Sequence, residues 1–164
     1  MEAAPQVMVE VDSLSVANMR RDLRMFAPLL LGTVDTLLRE QGQPIVDEAA
    51  ARLRALAQTH GVDRFGDPDD AADQYKVRIT SKGLVQLVNK SRGAAILEFA
   101  GKTNQYTHTD RGRTLVNTLN ERYGQPGRLL WQAWDEHSEA VQAKVVAIVH
   151  DAEAALQRLL DAAV

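Results

Sequence analysis

The spacing of apolar residues along this chain changes from a period of two to the period of a helix, and then repeats both in turn. In Val7–Val11, valine occupies every second position, which predicts a short strand. Asp12 or Ser13 then suits the cap of a helix, because a side-chain oxygen there accepts hydrogen bonds from first-turn amides. Pro28 is compatible with the first turn of a second helix.

The longest helical stripe runs through residues 30–56. Its members recur at spacings of three and four: Leu30, Val34, Leu37, Gln41, Ile45, Ala49, Leu53 and Leu56. The stripe keeps its phase across Gly42 and Pro44, which predicts one long helix with a kink near Pro44. We expect this helix to end at His60–Gly61, where glycine suits a left-handed cap. A helical hairpin that turns between Gly42 and Pro44 is the alternative.

After a polar connection, Asp63–Asp73, the period of two returns in three short runs. The runs are Tyr75–Ile79, Leu84–Val88 and Ala94–Phe99. The turns between them are short, which predicts an antiparallel β-meander over residues 75–100. One face of such a sheet buries apolar residues, while the other presents Lys76 and Arg78 to water or to a partner.

The remaining third of the chain contains a polar segment followed by helical patterns. Gly101–Arg113 has no apolar period and predicts a loop, and loops of this length are usually functional or mobile. Thr114–Tyr123 predicts a short helix. No proline or glycine follows Gly127, and an apolar stripe that includes Trp131 and Trp134 predicts a long helix over 128–162 with both tryptophans on its buried side.

The patterns together predict an α+β fold in a single domain over residues 1–164. An antiparallel β-meander packs against a long kinked N-terminal helical region, 13–60, and against the long C-terminal helix. A chain of 164 residues is long enough to bury a substantial core.

Composition narrows the possible functions. The absence of cysteine excludes disulfides, thiolate nucleophiles and cysteine metal sites. No apolar run approaches the ~18–20 residues that span a bilayer, and the N-terminus lacks the pattern of a signal peptide, so we expect an intracellular protein without membrane contact.

Charge is distributed unevenly. Residues 1–73 hold seven basic and thirteen acidic residues, residues 74–127 hold nine and three, and residues 128–164 hold three and six. The basic middle can meet nucleic acid or the acidic flank of a neighbouring copy, and we favour the second.

The search for catalytic chemistry gives no assembled site. His108 and Asp110 are close in sequence, but a solvated loop pair explains them better than a metal site. The aspartates of Asp67–Asp73 lack the glycine and closing glutamate of a calcium loop. Glu98 is the one carboxylate in an apolar run, without a second acid nearby in sequence, and we interpret it as pairing with a basic residue of a neighbouring strand or subunit. We therefore expect no catalytic, metal or cofactor residues.

Two segments carry a resemblance to a known family. One reads Ala-Ile-Leu-Glu-Phe-Ala-Gly over Ala95–Gly101, and the other, Gly127–His137, opens the last helix. Together with the order of elements, they resemble the tail-completion, or head–tail joining, family of long-tailed bacteriophages. Ala100 is an insertion relative to the family pattern, and Leu130–Ala133 replaces its arginine-proline helix entry.

The resemblance implies a non-catalytic virion structural protein of the neck, a tail terminator or tail-completion protein assembled in the host cytoplasm. It implies a ring, commonly a hexamer, that joins the tail tube protein to the head–tail connector or stopper protein, with DNA only as passing cargo. The residues that we expect at interfaces are Lys76, Arg78, Glu98, Lys102, Tyr106, Arg111 and Arg113.

A nucleic-acid-binding regulator is the alternative from another class. It would use the basic residues Lys76, Arg78, Lys82, Lys90, Arg92, Lys102, Arg111 and Arg113. The regular aromatic residues of single-strand binders are missing from this region. A hydrolase with an unfamiliar site is a third possibility.

Overall fold

The computed structural model describes residues 7–10, 13–57, 66–80, 85–101 and 109–163. In chain order the elements are β1 (Val7–Glu10), α1 (Ser13–Phe26), α2 (Pro28–Ala57), α3 (Pro68–Ala72), β2 (Lys76–Ile79), β3 (Val85–Asn89), α4 (Arg92–Phe99), α5 (Asp110–Tyr123) and α6 (Leu130–Ala162). The α+β class is confirmed, and the fold is mostly helical. None of the described helices has the length and apolar content that crossing a bilayer requires.

The chain reverses direction between α1 and α2. Ala27 separates the two helices, and Pro28 opens α2, where its missing amide N–H has no helical partner to lose. Arg20 of α1 reaches back to Asp35 of α2 through two bonds of 2.6 and 2.7 Å, so the two helices lie side by side. The helix α2 continues through Pro44, so the expected single helix is confirmed and the hairpin alternative is wrong. The expected stop at 60–61 lies outside the described residues.

The sheet has three strands in the order β1-β3-β2, and both pairings are antiparallel. The predicted pairing of β2 with β3 is confirmed, with Lys76 opposite Val88. The third strand of the predicted meander is wrong, because residues 92–99 form α4 and β1 pairs with β3 instead. A short buried apolar run fits a helix as well as a strand. Here the Ser91 side chain accepts a hydrogen bond from the amide of Ala94 and caps a helix.

The core lies between α2, the sheet and α6. The helices α2 and α6 pack against each other, and Arg52 near the end of α2 bonds to Glu136 near the start of α6 at 2.6 Å. The buried residues that α6 contributes are Leu130, Ala133, Val141, Val145, Val149 and Ala152. Trp134 is half-buried against this core, but Trp131 is 37% exposed, so the prediction that both tryptophans are buried is wrong for Trp131.

The predicted loop over 101–113 is too long. The Thr109 side chain caps a helix by accepting a hydrogen bond from the amide of Gly112, and α5 begins at Asp110. The predicted short helix is therefore confirmed but begins four residues earlier than expected. Residues 102–108 lie outside the described part of the chain.

We expect Gly42→Ala to destabilise the protein although alanine is the better helix former. A Cβ at position 42 would lie 2.9 Å from a methyl group of Val77 and 2.9 Å from one of Leu87. Overpacking of this kind costs about 1–3 kcal/mol, against a helix gain of about 1 kcal/mol. Gly32→Ala in the same helix is the matched control, since nothing lies within 4 Å of its Cβ, and it should stabilise. Chemical denaturation that ranks both variants alike would contradict this packing.

Candidate functional site

A buried carboxylate joins α4 to the start of α6. The Glu98 side chain is 0% exposed. Its Oε2 atom accepts hydrogen bonds from the amides of Leu129 and Leu130 at 2.9 and 3.0 Å, and its Oε1 atom accepts one from Trp131 at 3.2 Å. First-turn amides have no partner within their own helix, and Leu129 provides no side-chain cap. Glu98 therefore caps α6 from another helix.

A buried arginine completes this junction from the other side. The guanidinium of Arg128 donates to the carbonyl oxygens of Gly124, Leu97 and Ala100 at 2.8, 3.0 and 3.0 Å. It also donates to the side-chain oxygen of Asn120. These acceptors lie at the C-terminal ends of α4 and α5, where helical carbonyls lack partners. We call Glu98, Arg128 and their bonded backbone groups the polar junction.

Burial sets the electrostatics of the polar junction. It raises the pKa of the Glu98 carboxyl, while the three backbone amides and the charge of Arg128 oppose that shift. Burial lowers the pKa of Arg128, and the Glu98 carboxylate opposes this change. The pKa of the Tyr75 phenol is raised, first by burial and then by Glu98. Each charge thus partly offsets the cost of burying the other.

The two segments that carry the family resemblance meet at this junction. Glu98 belongs to Ala95–Gly101, and Arg128 and its neighbours belong to Gly127–His137. The backbone joins them as well, since the amide of Gly127 donates to the carbonyl of Glu98 at 2.7 Å. This contact could not be predicted from the sequence, because the carboxylate and the helix that it caps are about 30 residues apart.

The raised pKa of Glu98 predicts a pH dependence. The neutral acid is favoured in the folded state, so the stability due to this group is present below its ordinary pKa of 4.5 and is lost as pH rises through the folded value. We therefore expect the difference in unfolding free energy between wild type and E98Q to decrease as pH rises above 4.5. Denaturation of both proteins at the same set of pH values measures this difference, and the contributions of the other titratable groups cancel in it. A difference that increases with pH would mean that the folded pKa is lowered.

The predicted interface residues fall into separate places. Lys76 and Arg78 are exposed and lie on β2, an edge strand of the sheet. Arg111 and Arg113 are exposed in the first turn of α5, where Arg113 pairs with Asp110. Glu98 lies inside the fold, within the polar junction. Lys102 and Tyr106 lie outside the described residues.

A surface of opposite charge lies along α6. Its exposed carboxylates are Asp135, Glu136, Glu139, Asp151, Glu153 and Asp161, while its exposed basic residues are Lys144 and Arg158. The helix α6 contacts β1, and β1 and β2 are the two edges of the sheet with β3 between them. We call the exposed side of β2 the basic edge and the exposed side of α6 the acidic face. They lie on different elements, and α6 packs mainly against α2.

Open clefts among the described residues include one beside the polar junction and one beside Tyr75. One, of about 450 Å³, is lined by Arg52, Arg122 and Arg128, but Arg52 is bonded to Glu48 and Glu136 and Arg128 belongs to the polar junction. The other, of about 420 Å³, is lined by Asp47, Arg54, Asp73 and Tyr75. Within the described ranges, no three histidine or acidic side chains are grouped as metal ligands.

Comparison with protein-family models, curated proteins and solved structures gave no match.

Proposed function

We propose that this chain is a non-catalytic virion structural protein whose copies form a ring at the head–tail junction of a long-tailed bacteriophage. In this proposal the ring terminates the tail tube and joins it to the head connector, and DNA passes through its centre. Six subunits are expected from the resembling family.

The observation that carries the proposal is the opposite charge of two separate surfaces. A closed ring of more than two subunits needs a heterologous contact, in which one face of a subunit meets a different face of the next. The basic edge holds Lys76 and Arg78, and no ion pair engages either residue within the described part of the chain. Of the six exposed carboxylates of the acidic face, Glu136 is bonded to Arg52, which leaves five against the two basic side chains Lys144 and Arg158. Complementary faces of this kind favour specific pairing.

The polar junction supports the same function. It fixes the first turn of α6 to α4 and α5, so the 33-residue helix is held firmly at its start. At 1.5 Å per residue, this helix presents its acidic face along about 50 Å. The buried Glu98 carboxylate is thereby engaged in helix capping, and its place inside the fold suits a structural protein.

Two substitutions that make the same change of charge on different surfaces test the ring contact. Lys76→Glu places a negative charge on the basic edge, and Lys144→Glu makes the same change on the acidic face. We expect Lys76→Glu to reduce joining to tail tubes at least tenfold, because like charges then face each other, while Lys144→Glu leaves joining intact. Electron microscopy and light scattering of mixtures with tail tubes and connectors encoded beside the gene provide the measurement.

Two outcomes would count against the ring. Equal effects of the two variants would exclude the proposed pairing of surfaces, and a wild-type protein that never joins tubes would exclude the function. The basic edge also suits nucleic acid, so binding to short duplex and single-stranded DNA should be measured at several salt concentrations. A steep loss of affinity with salt that Lys76→Glu reduces would favour the regulator instead.

A further inference from the structure

The cleft beside the polar junction brings three arginines together. It lies where the ends of α2 and α5 meet the start of α6, and Arg52, Arg122 and Arg128 border it from these three segments. Among the described residues that line it, none is acidic. Its volume of about 450 Å³ is within the range of small-molecule sites, roughly 300–1,000 Å³. The proposed ring makes no use of this cleft.

The three guanidinium groups keep unused hydrogen-bond donors. An arginine has five N–H donors. The bonds of Arg52 to Glu48 and Glu136 start from its Nε and Nη2 atoms, and its Nη1 atom takes part in neither. The four bonds of Arg128 leave one N–H of its Nη1 atom without an acceptor among the described residues. Arg122 is exposed and has no bonded partner in the same ranges, so the cleft has donors available for an anion.

The remaining wall of the cleft is mostly apolar. Ala55 and Leu56 of α2 and Leu129 before α6 line it, and Tyr123 of α5 borders it. Leu56 and Leu129 belong to the buried core, so this part of the wall is fixed in place. Ligand sites usually combine such an apolar wall with a few polar groups that orient the ligand. A ligand with an anionic group and an apolar body matches both parts of this cleft.

We propose that this cleft binds a small organic phosphate monoester, with the phosphoryl group among the three arginines and the organic group beside Leu56 and Leu129. A phosphate monoester has a charge of about −1.5 to −2 at pH 7 and three acceptor oxygens. Guanidinium groups bind phosphate through two parallel hydrogen bonds. A carboxylate has only two oxygens and a single charge, so it engages fewer of the donors that three arginines supply.

A carboxylate outside the cleft competes for one of these arginines. Glu136 bonds to Arg52 at 2.6 Å, and its side chain is 48% exposed, so it can be replaced without opening the core. Glu136→Gln removes a negative charge next to the cleft and leaves more of the Arg52 guanidinium to a ligand. We therefore expect this variant to bind phosphate more tightly than wild type, a gain that a purely structural role of Arg52 does not produce.

Isothermal titration calorimetry of the full chain with phenyl phosphate measures the affinity. Arg122→Gln should raise the dissociation constant about tenfold, because it removes charge-assisted hydrogen bonds. Glu136→Gln should lower the constant about threefold, the effect of removing one exposed charge. The matched controls are Arg111→Gln, about 16 Å away along α5, and Glu153→Gln, about 25 Å from Glu136 along α6. Both controls replace exposed charged residues and should leave the constant unchanged.

Two further compounds test the two parts of the ligand. Inorganic phosphate lacks the organic group, and benzoate replaces the phosphoryl group with a carboxylate, so both should bind more weakly than phenyl phosphate. Circular dichroism checks that each variant is folded. No binding of phenyl phosphate up to about 10 mM, where even weak sites fill, would overturn the proposal. Equal effects of Arg122→Gln and Arg111→Gln, or an affinity for benzoate as high as that for phenyl phosphate, would also overturn it.

Discussion

Replacing Glu98 with alanine is expected to cost about 3–5 kcal/mol of unfolding free energy, the range for breaking a buried charge pair. The substitution removes both acceptors from the amides of Leu129, Leu130 and Trp131. It also leaves the Arg128 guanidinium buried without its countercharge. Folded domains have a stability of only about 5–15 kcal/mol, so much of the stability of this protein depends on one side chain.

The conservative variant separates the acceptor from the charge. Glu98→Gln keeps one side-chain oxygen, which can still accept hydrogen bonds from Leu129 and Leu130. It removes the negative charge of the carboxylate, a group whose pKa is raised by burial. We expect it to cost about 1–2 kcal/mol, the range of one or two hydrogen bonds. Glu139→Ala, which truncates an exposed carboxylate of α6, is the control and should change stability by less than about 0.5 kcal/mol.

Urea denaturation followed by circular dichroism measures all three variants. An E98A variant within about 1 kcal/mol of wild type would show that the start of α6 does not depend on this cap. An E98Q variant as unstable as E98A would show that the charge, and not the acceptor geometry, is the stabilising property.

The long periodic elements could be predicted from sequence, and the short ones could not. The phase of the stripe through Pro44 correctly predicted one helix, because apolar positions at helical spacing continue on both sides of the proline. The run Ala94–Phe99 forms a helix although the sequence predicts a strand, because a short apolar run has no diagnostic period. Ser91 was the available signal, as a cap residue three positions before Ala94, the first of two alanines.

The features of the candidate site also differ in how far they could be predicted from the sequence. The exposure of Lys76 and Arg78 could be predicted, because basic and apolar residues alternate along β2. The role of Glu98 could not, because its partners are the backbone amides of a distant helix, and backbone groups have no sequence signature.

Replacing Arg128 with methionine is expected to cost about 3–5 kcal/mol, although methionine has a similar length and is apolar. The change removes the donors to the carbonyls of Leu97 and Ala100 and leaves Glu98 without its countercharge. Arg128→Lys should recover only part of the loss, because one ammonium group cannot reproduce the planar set of donors of a guanidinium. Arg122→Met, an exposed arginine of α5, is the control and should be nearly neutral.

The double variant E98Q/R128M tests whether the two side chains act as one unit. If the charges compensate each other, removing both leaves no buried unpaired charge, and the loss should be smaller than the sum of the single losses by about 1 kcal/mol or more. Additive losses would mean that Glu98 caps α6 and Arg128 joins α4 to α5 independently. In that case the Glu98 cap and the Arg128 bonds would each join the two segments without energetic coupling between them.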